Sequence, residues 1–320
     1  MICSLDSIRE DLIAWVESLW LEDVGVFRNG DALEPSLRSS LFMTYILYSI
    51  DAVDAIRCDK ARWIAWIQAQ QNAQDGSFIF AGNPSRRGIA FWNAVRGLNV
   101  LGSQIVIFPE YQREVMTVDG LHAWFDGWKK SGNSHHEVLA LAPTLVSHSD
   151  TDWVEAFFAE LAEQQHPESG TWPQEVTNIS RTFAYSLIHM GMNRVPPQAD
   201  KIVDAMLVLQ DADGFWHGKP GFSTMDAVYL LSHLVKKIGW REKDAKDALH
   251  RVLDALSSYY EKNVESAKLD THQFSAIVQT FALLSEALPE RFATSYAWKF
   301  GWSNRAIWQC DVIKETLAVR

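Results

Sequence analysis

Cysteine is scarce in this chain: Cys3, Cys58 and Cys310 are far apart and form no Cys-x-x-Cys pair. Neither a disulfide framework nor a cysteine zinc site is expected, and a reducing cytoplasmic setting is the default. Positive charge is short as well. With 29 Lys and Arg against 40 Asp and Glu, the formal net charge is -11. That balance argues against a nucleic-acid partner, whose phosphates need clustered cations, and equally against a polybasic membrane patch. No apolar run approaches the roughly 18 residues of a membrane span, so no membrane insertion is expected. The start, Ser4-Leu5-Asp6-Ser7-Ile8-Arg9-Glu10-Asp11, reads as an acidic helix start rather than a basic signal peptide. Strand signals are almost absent, which points to an all-α fold.

What is present is a folded, aromatic-rich chain. The 320 residues are 48% hydrophobic and 22% charged, close to globular averages, and carry 14 Trp, 16 Phe and 8 Tyr. That is more indole than a core of this size usually needs. Three segments repeat one pattern, a helix ending in Gln followed by an acidic residue, Gly and an aromatic. They run from Gln71 through Asp75 and Gly76 to Phe78, from Gln165 through Glu168 and Gly170 to Trp172, and from Gln210 through Asp213 and Gly214 to Trp216. A weak fourth copy is Trp124-Phe125-Asp126-Gly127-Trp128. The spacing corresponds to a period of about 45 residues, the mark of a repeat fold.

Within each period the apolar spacing is helical, as in Leu41, Tyr45 and Tyr48, or Phe183, Leu187 and Met190. Six such apolar helices alternate with amphipathic ones, for example Arg62 to Gln71, Thr151 to Gln165, Ala199 to Gln210 and Glu242 to Tyr260. The pattern predicts six helical hairpins, apolar helices inside and amphipathic ones outside, closed into a ring with a lined cavity rather than an open solenoid. Residues 1–35 would be a lead-in, 36–288 the repeats and 289–320 a closing segment of one domain. No pattern distinguishes a monomer from a homodimer.

The Gln-x-x-Asp-Gly-x-Trp pattern resembles the QW repeat of the terpenoid cyclase and protein prenyltransferase superfamily, whose fold is an α/α toroid. Gln210, Gly214 and Trp216 match its spacing, while the two earlier copies carry one extra residue between Gln and Gly. Similar turns occur in α/α-barrel polysaccharide lyases and glycosidases, so the repeat speaks to fold before chemistry. The repeated residues themselves read as stacking devices. The resemblance implies an active site in the central cavity. The chain contains no adjacent Asp pair, so neither the Asp-x-Asp-Asp of protonating cyclases nor the Asp-Asp-x-x-Asp of ionising ones is present. The stretch from Gly218 to Ser232 looks like the prenyltransferase segment that ends in a zinc-binding His, but Asp226 stands at that position. Protein prenylation is therefore not expected. The short length and missing motifs look similar to the unusual humulene-forming cyclases of fungal tropolone sesquiterpenoid pathways.

The residues at the starts of the inner helices carry the chemistry. Arg38, Arg86, Arg87, His135, His136, Glu137, Arg181, Asp226 and His272 should gather at one mouth, because inner helices of such a ring run parallel. Guanidinium forks and helix N-termini both suit phosphate oxygens. Arg38, Arg87, Arg181 and Lys219 are the expected diphosphate ligands. Asp226, Asp213 and Glu137, with Asp211, could hold Mg2+, although Asp211 and Asp213 read first as turn formers. Asp226, His135 and Tyr229 are the candidate catalytic groups. Tyr45, Phe91, Trp92, Phe183, Tyr185 and Phe274, together with Phe42 and Phe281, are the rings expected to line the cavity and stabilise a carbocation. The leading expectation is a terpene cyclase that ionises a prenyl diphosphate, farnesyl diphosphate first, with Mg2+. The alternatives are a carbohydrate-active α/α barrel, with His135, Arg181 and Tyr185 in acid–base work, and a scaffold without a polar-mouthed cavity.

Overall fold

A computed structural model gives the fold and describes residues 3–80, 86–131, 134–173 and 178–319. The protein is all-α. The helices among the described residues are α1 (Leu5–Ser18), α2 (Leu37–Ser49), α3 (Lys60–Ala69), α4 (Arg87–Val100), α5 (Val118–Ser131), α6 (His135–Leu139), α7 (Ala142–Ser147), α8 (Thr151–Ala162), α9 (Ile179–Gly191), α10 (Ala199–Val208), α11 (Phe222–Ile238), α12 (Glu242–Ala267), α13 (Thr271–Ala287) and α14 (Asp311–Ala318). Four two-residue strands, β1 (Cys3–Ser4), β2 (Trp20–Leu21), β3 (Val26–Phe27) and β4 (Phe292–Ala293), make two pairs: β1 lies parallel to β4, and β2 antiparallel to β3.

Burial separates two classes of helix. Nearly all of α2, from Leu37 to Ser49, is buried on every side, as are the central turns of α4, α9, α11 and α13. By contrast, α12 buries Ala245, Ala248, Leu249, Val252, Leu253 and Leu256, a single stripe at helical spacing with charge elsewhere. Each buried helix touches the next: α2 packs on α4, α4 on α6, α6 on α9, α9 on α11, α11 on α13, and α13 back on α2. These contacts close a ring of six. Outside it, α3 packs on α4, α5 on α8, α10 on α11, and α12 on both α11 and α13.

The third member of the ring departs from the expected continuous helix. It is split into α6 and α7, with Ala140 and Leu141 between them and Pro143 in the first turn of α7. Proline lacks an N–H and its ring clashes with the carbonyl four residues back, so a helix running on from Leu139 cannot pass it. The weak repeat copy is also different: Asp126 and Gly127 lie inside α5 and form no turn.

The three strong copies are staples. Gln71 Nε2 donates to the Gly76 and Ile107 carbonyls, at 2.9 and 2.7 Å, while its Oε1 accepts from the Val106 and Ile107 amides. Gln165 Nε2 donates to Gly170 and Pro197, both at 2.6 Å, and Gln210 Nε2 to Gly214 and Ala248, at 2.9 and 3.0 Å. Each glutamine thus ties its own turn to the next segment outside the ring. Gly76 shows why glycine is required: its φ is +69°, and a Cβ would lie 2.5 Å from the Phe108 carbonyl oxygen. Trp172 and Trp216 are fully buried, with indole N–H groups on the Leu161 and Met206 carbonyls.

The segment after the ring seals one end of it. Lys299 N donates to the carbonyl of Ser49, the last residue of α2, and Phe300 N to Glu286 near the end of α13. Asn99, near the end of α4, donates to Ile307 and Gln309. Trp308 packs against Gly191, the last residue of α9, where any Cβ would overlap the indole. Residues 298–309 therefore lie across the C-terminal ends of the inner helices and leave their N-terminal ends as the open mouth.

Candidate functional site

A cavity of about 270 Å³ lies at that mouth. Successive inner helices present residues to it at i and i+4, or close to that spacing: Arg38 and Phe42 from α2, Ile89 and Asn93 from α4, His135 and Leu139 from α6, Ser180 and Ala184 from α9, Phe222 and Asp226 from α11. Phe80, Arg86, His136, Phe183, His272 and Gln273 complete the wall, and Trp302, from the closing segment, reaches in from below. Side-chain caps fix several of these helix starts. Ser36 accepts from the Ser39 amide, Ser134 from His136, Asn178 from Arg181, and Asp270 from His272 and Gln273. The start of α4 lacks a side-chain cap from its own first residue, and Glu137 Oε1 accepts from the Gly88 amide at 3.2 Å instead.

The electrostatics of the wall are one-sided. Burial lowers the pKa of His136 to about 4, assisted by the facing charges of Arg86 and Arg38. Burial, with Arg38, Arg86 and His136, lowers that of His272 to about 3. His135 is pushed well below the usual imidazole value by burial, His136 and Arg181. Arg38 is itself lowered by burial and by Arg86, against the pull of Asp270. Two adjacent histidines ordinarily point to different helix faces. Here both lie in the first turn of a five-residue helix and both line the cavity, with ring centroids 4.2 Å apart. Asp226 is the carboxyl in this wall. Its Oδ2 accepts from Ser180 Oγ at 2.6 Å, and Oδ1 has no partner among the described residues. Burial pushes its pKa up to about 8, so it holds a proton at neutral pH.

Of the expected diphosphate ligands, Arg38 lines the cavity and three others do not. Arg87 is exposed, its guanidinium 4.8 Å from the centroid of the Tyr111 ring. Arg181 lies at 5.6 Å over the Trp128 ring, near enough to depress His135. Lys219 is exposed in the loop before α11. Arg86 is in the wall instead.

The aromatic expectation needs a larger correction. Phe42 and Phe183 line the cavity, but Tyr45, Phe91, Trp92, Tyr185, Tyr229 and Phe274 do not. Their positions fall off the mouth-facing stripe of each helix or deeper along it. Phe274 turns outward onto Trp15 of α1, at 4.8 Å, and Phe91 onto Tyr111. Trp92 packs on Trp308, Tyr185 on Trp172, and Tyr229 on Phe300 and His233. Tyr45 donates to the Asn93 carbonyl at 2.8 Å. Phe281 meets Tyr260 on the outer side. In their place Phe80, Phe222 and Trp302 supply rings; His272 stacks on Phe222 at 4.3 Å.

The Mg2+ set does not assemble. Asp213 is exposed and accepts from the Phe215 amide, while Asp211 accepts from Gly218, so both serve the turn. Glu137 caps α4. Asp226 is in the cavity wall, whereas Asp213 and Glu137 are not among its lining residues. Among the described residues no three His, Cys, Asp or Glu side chains converge as a metal site. Comparison with family models, with curated proteins and with solved structures returns no match. The functional reading therefore rests on the chain's own residues.

Proposed function

We propose that the cavity binds the anionic head and apolar chain of a prenyl diphosphate, and that the protein is a terpene cyclase. One observation carries this reading. Two arginines and three imidazoles face one another around an apolar-walled cavity whose carboxyl, Asp226, is uncharged. In a protein of net charge -11, two guanidinium groups at the mouth of a cavity whose imidazoles and carboxyl are neutral favour an anion.

Arg38 and Arg86 bind the diphosphate oxygens through paired N–H groups. The imidazoles, held neutral in the empty site by burial and by the arginines, gain protons as the negative charge arrives. Asp226, with a proton to give near neutral pH, donates to the departing oxygen. The allyl cation left behind meets Phe42, Phe183, Phe222 and Trp302, whose faces stabilise positive charge by roughly 0.5–2 kcal/mol each. A carbohydrate reading finds less support, since Tyr185 is buried behind Trp172 and the cavity is a compact chamber. The polar mouth speaks against a bare scaffold.

The test is incubation of the protein with geranyl, farnesyl and geranylgeranyl diphosphates, with and without Mg2+, and mass analysis of the organic extract. A new hydrocarbon or alcohol from one substrate supports the reading. Unchanged substrate in every tube, with the protein shown to be folded, overturns it.

A further inference from the structure

Arg96 of α4 lies behind the cavity, and its environment is incomplete. Its side chain is fully buried, and none of its Nε, Nη1 and Nη2 atoms has an acceptor among the described residues. The guanidinium rests against three rings, 4.2 Å from the Trp302 centroid, 4.4 Å from Tyr45 and 4.9 Å from Trp92. Burial lowers its pKa to about 10, which leaves it charged at neutral pH. Aromatic faces offset part of the cost of removing an unpaired ion from water, but an ion with every donor unmade remains poorly solvated.

The neighbours share the shortage. Asn93, three residues earlier on the same helix and in the cavity wall, accepts from the Tyr45 hydroxyl at Oδ1, at 3.0 Å, and its Nδ2 has no acceptor among the described residues. The indole N–H groups of Trp92 and Trp302 also lack acceptors among the described residues. The cluster offers unmet donors and a positive charge, and what it lacks is an acceptor of opposite sign. One side chain, Trp302, both lines the cavity and covers the guanidinium. The backbone of Trp302 is held through Trp308 Nε1, which donates to its carbonyl at 2.9 Å. Its indole has ring contacts, with Tyr45, Phe183, Phe222 and Phe300, but no hydrogen bond.

We propose that Arg96 and Asn93 form a second, deeper subsite that takes a carboxylate carried on an apolar chain, reached from the cavity when the Trp302 indole swings aside. Such a ligand enters head first, the reverse of the diphosphate orientation, and excludes a prenyl diphosphate while it is bound. The inference rests on reading the cavity as a ligand site, not on cyclisation.

The test is calorimetric titration of the full chain with decanoate and with decan-1-ol, its uncharged counterpart, in the wild type, Trp302→Ala, Arg96→Met and the double variant. Inorganic pyrophosphate serves as the probe of the mouth. Decanoate is expected to bind at least about tenfold tighter than the alcohol in the wild type, a difference one charged pair can supply. Trp302→Ala should widen that preference, and Arg96→Met should abolish it in either background. Pyrophosphate affinity should change less than about twofold. Equal binding of acid and alcohol in both the wild type and Trp302→Ala overturns the subsite, as does a preference that survives Arg96→Met. Should Arg96→Met fail to fold, Asn93→Leu and Arg96→Lys provide the same readout, each lowering the preference for the acid. Loss of pyrophosphate binding by the wild type, with the decanoate preference intact, would sink the mouth reading and leave this one standing.

Discussion

The repeat turns and the ring interior are built from similar residues and treat their polar atoms in opposite ways. At the turns, the side-chain N–H groups of Gln71, Gln165 and Gln210 are all bonded, and the acceptors are backbone carbonyls of two different segments. Inside, Arg96, Asn93 Nδ2, Asp226 Oδ1 and the Tyr185 and Tyr229 hydroxyls have no partner among the described residues. Native proteins pair nearly all buried polar groups, so unmet ones concentrate where a ligand belongs. The repeated motif, the most conspicuous feature of the sequence, is therefore architecture, and the chemistry lies where the repeat falls silent.

Substitutions can break this division. The largest effect is expected for Asp226→Asn, which should lower turnover of the prenyl diphosphate by roughly 10²–10⁴-fold, as removal of a proton donor does, with thermal unfolding no lower than that of the wild type. Wild-type turnover should fall as pH rises through about 8, where Asp226 loses its proton. Gly76→Ala attacks the other region: with φ at +69° and backbone 2.5 Å from the new Cβ, it should cost about 3 kcal/mol in urea unfolding and leave pyrophosphate affinity unchanged. Gln210→Ala should cost about 2 kcal/mol by the same measure, for two lost bonds to backbone and two from the exposed Arg251 guanidinium. Lys219→Ala, outside both regions, should stay within about 0.5 kcal/mol and alter neither binding nor turnover. A turn variant that changed ligand affinity, or a cavity variant whose whole effect was on stability, would dissolve the distinction.

Acid sharpens it further. In the folded state His136 and His272 have pKa values of about 4 and 3, below those of free imidazole. The unfolded chain therefore takes up protons first as pH falls below about 6.5, and stability declines toward pH 4. Asp226 acts oppositely: its raised pKa makes stability decline as pH rises from about 4 to 8. Replacing both His136 and His272 with Gln should make the acid limb of a stability profile shallower, with His135, His189 and His233 supplying what remains, and leave the alkaline limb unchanged, while Asp226→Asn should make the alkaline limb shallower and leave the acid one.

Much of the frame was legible in the sequence because it depends on periodicity. Apolar and amphipathic helices alternate where the spacing says, and the break before Pro143 was there to be read from the proline. The mouth residues Arg38, Arg86, His135, His136, Asp226 and His272 share one cavity because they share one position, the start of an inner helix. The rings were not legible by type. Which aromatic faces the cavity is decided by its register from that start, so Phe42 follows from Arg38, and Phe222 lies one turn before Asp226, while Phe91 and Phe274 fall on other faces. Trp302 belongs to no repeat and carries no spacing to give it away. The carboxylates misled for different reasons, since Asp213 accepts an amide of its own turn while Glu137 accepts the Gly88 amide at the start of the neighbouring α4, a partner that no local spacing reveals.

The closing segment also sets a calendar. Residues 298–309 join helix ends from α2 to α13, so the cavity floor cannot form until a ribosome has delivered all six inner helices and then the stretch that crosses beneath them. Until then the nascent ring is open at both ends, with Tyr45, Trp92 and Phe183 short of their Trp302 and Trp308 neighbours. Contacts so distant along the chain form slowly. The floor, with its Trp302 and Trp308 contacts, is thus the last part of the cavity that synthesis completes.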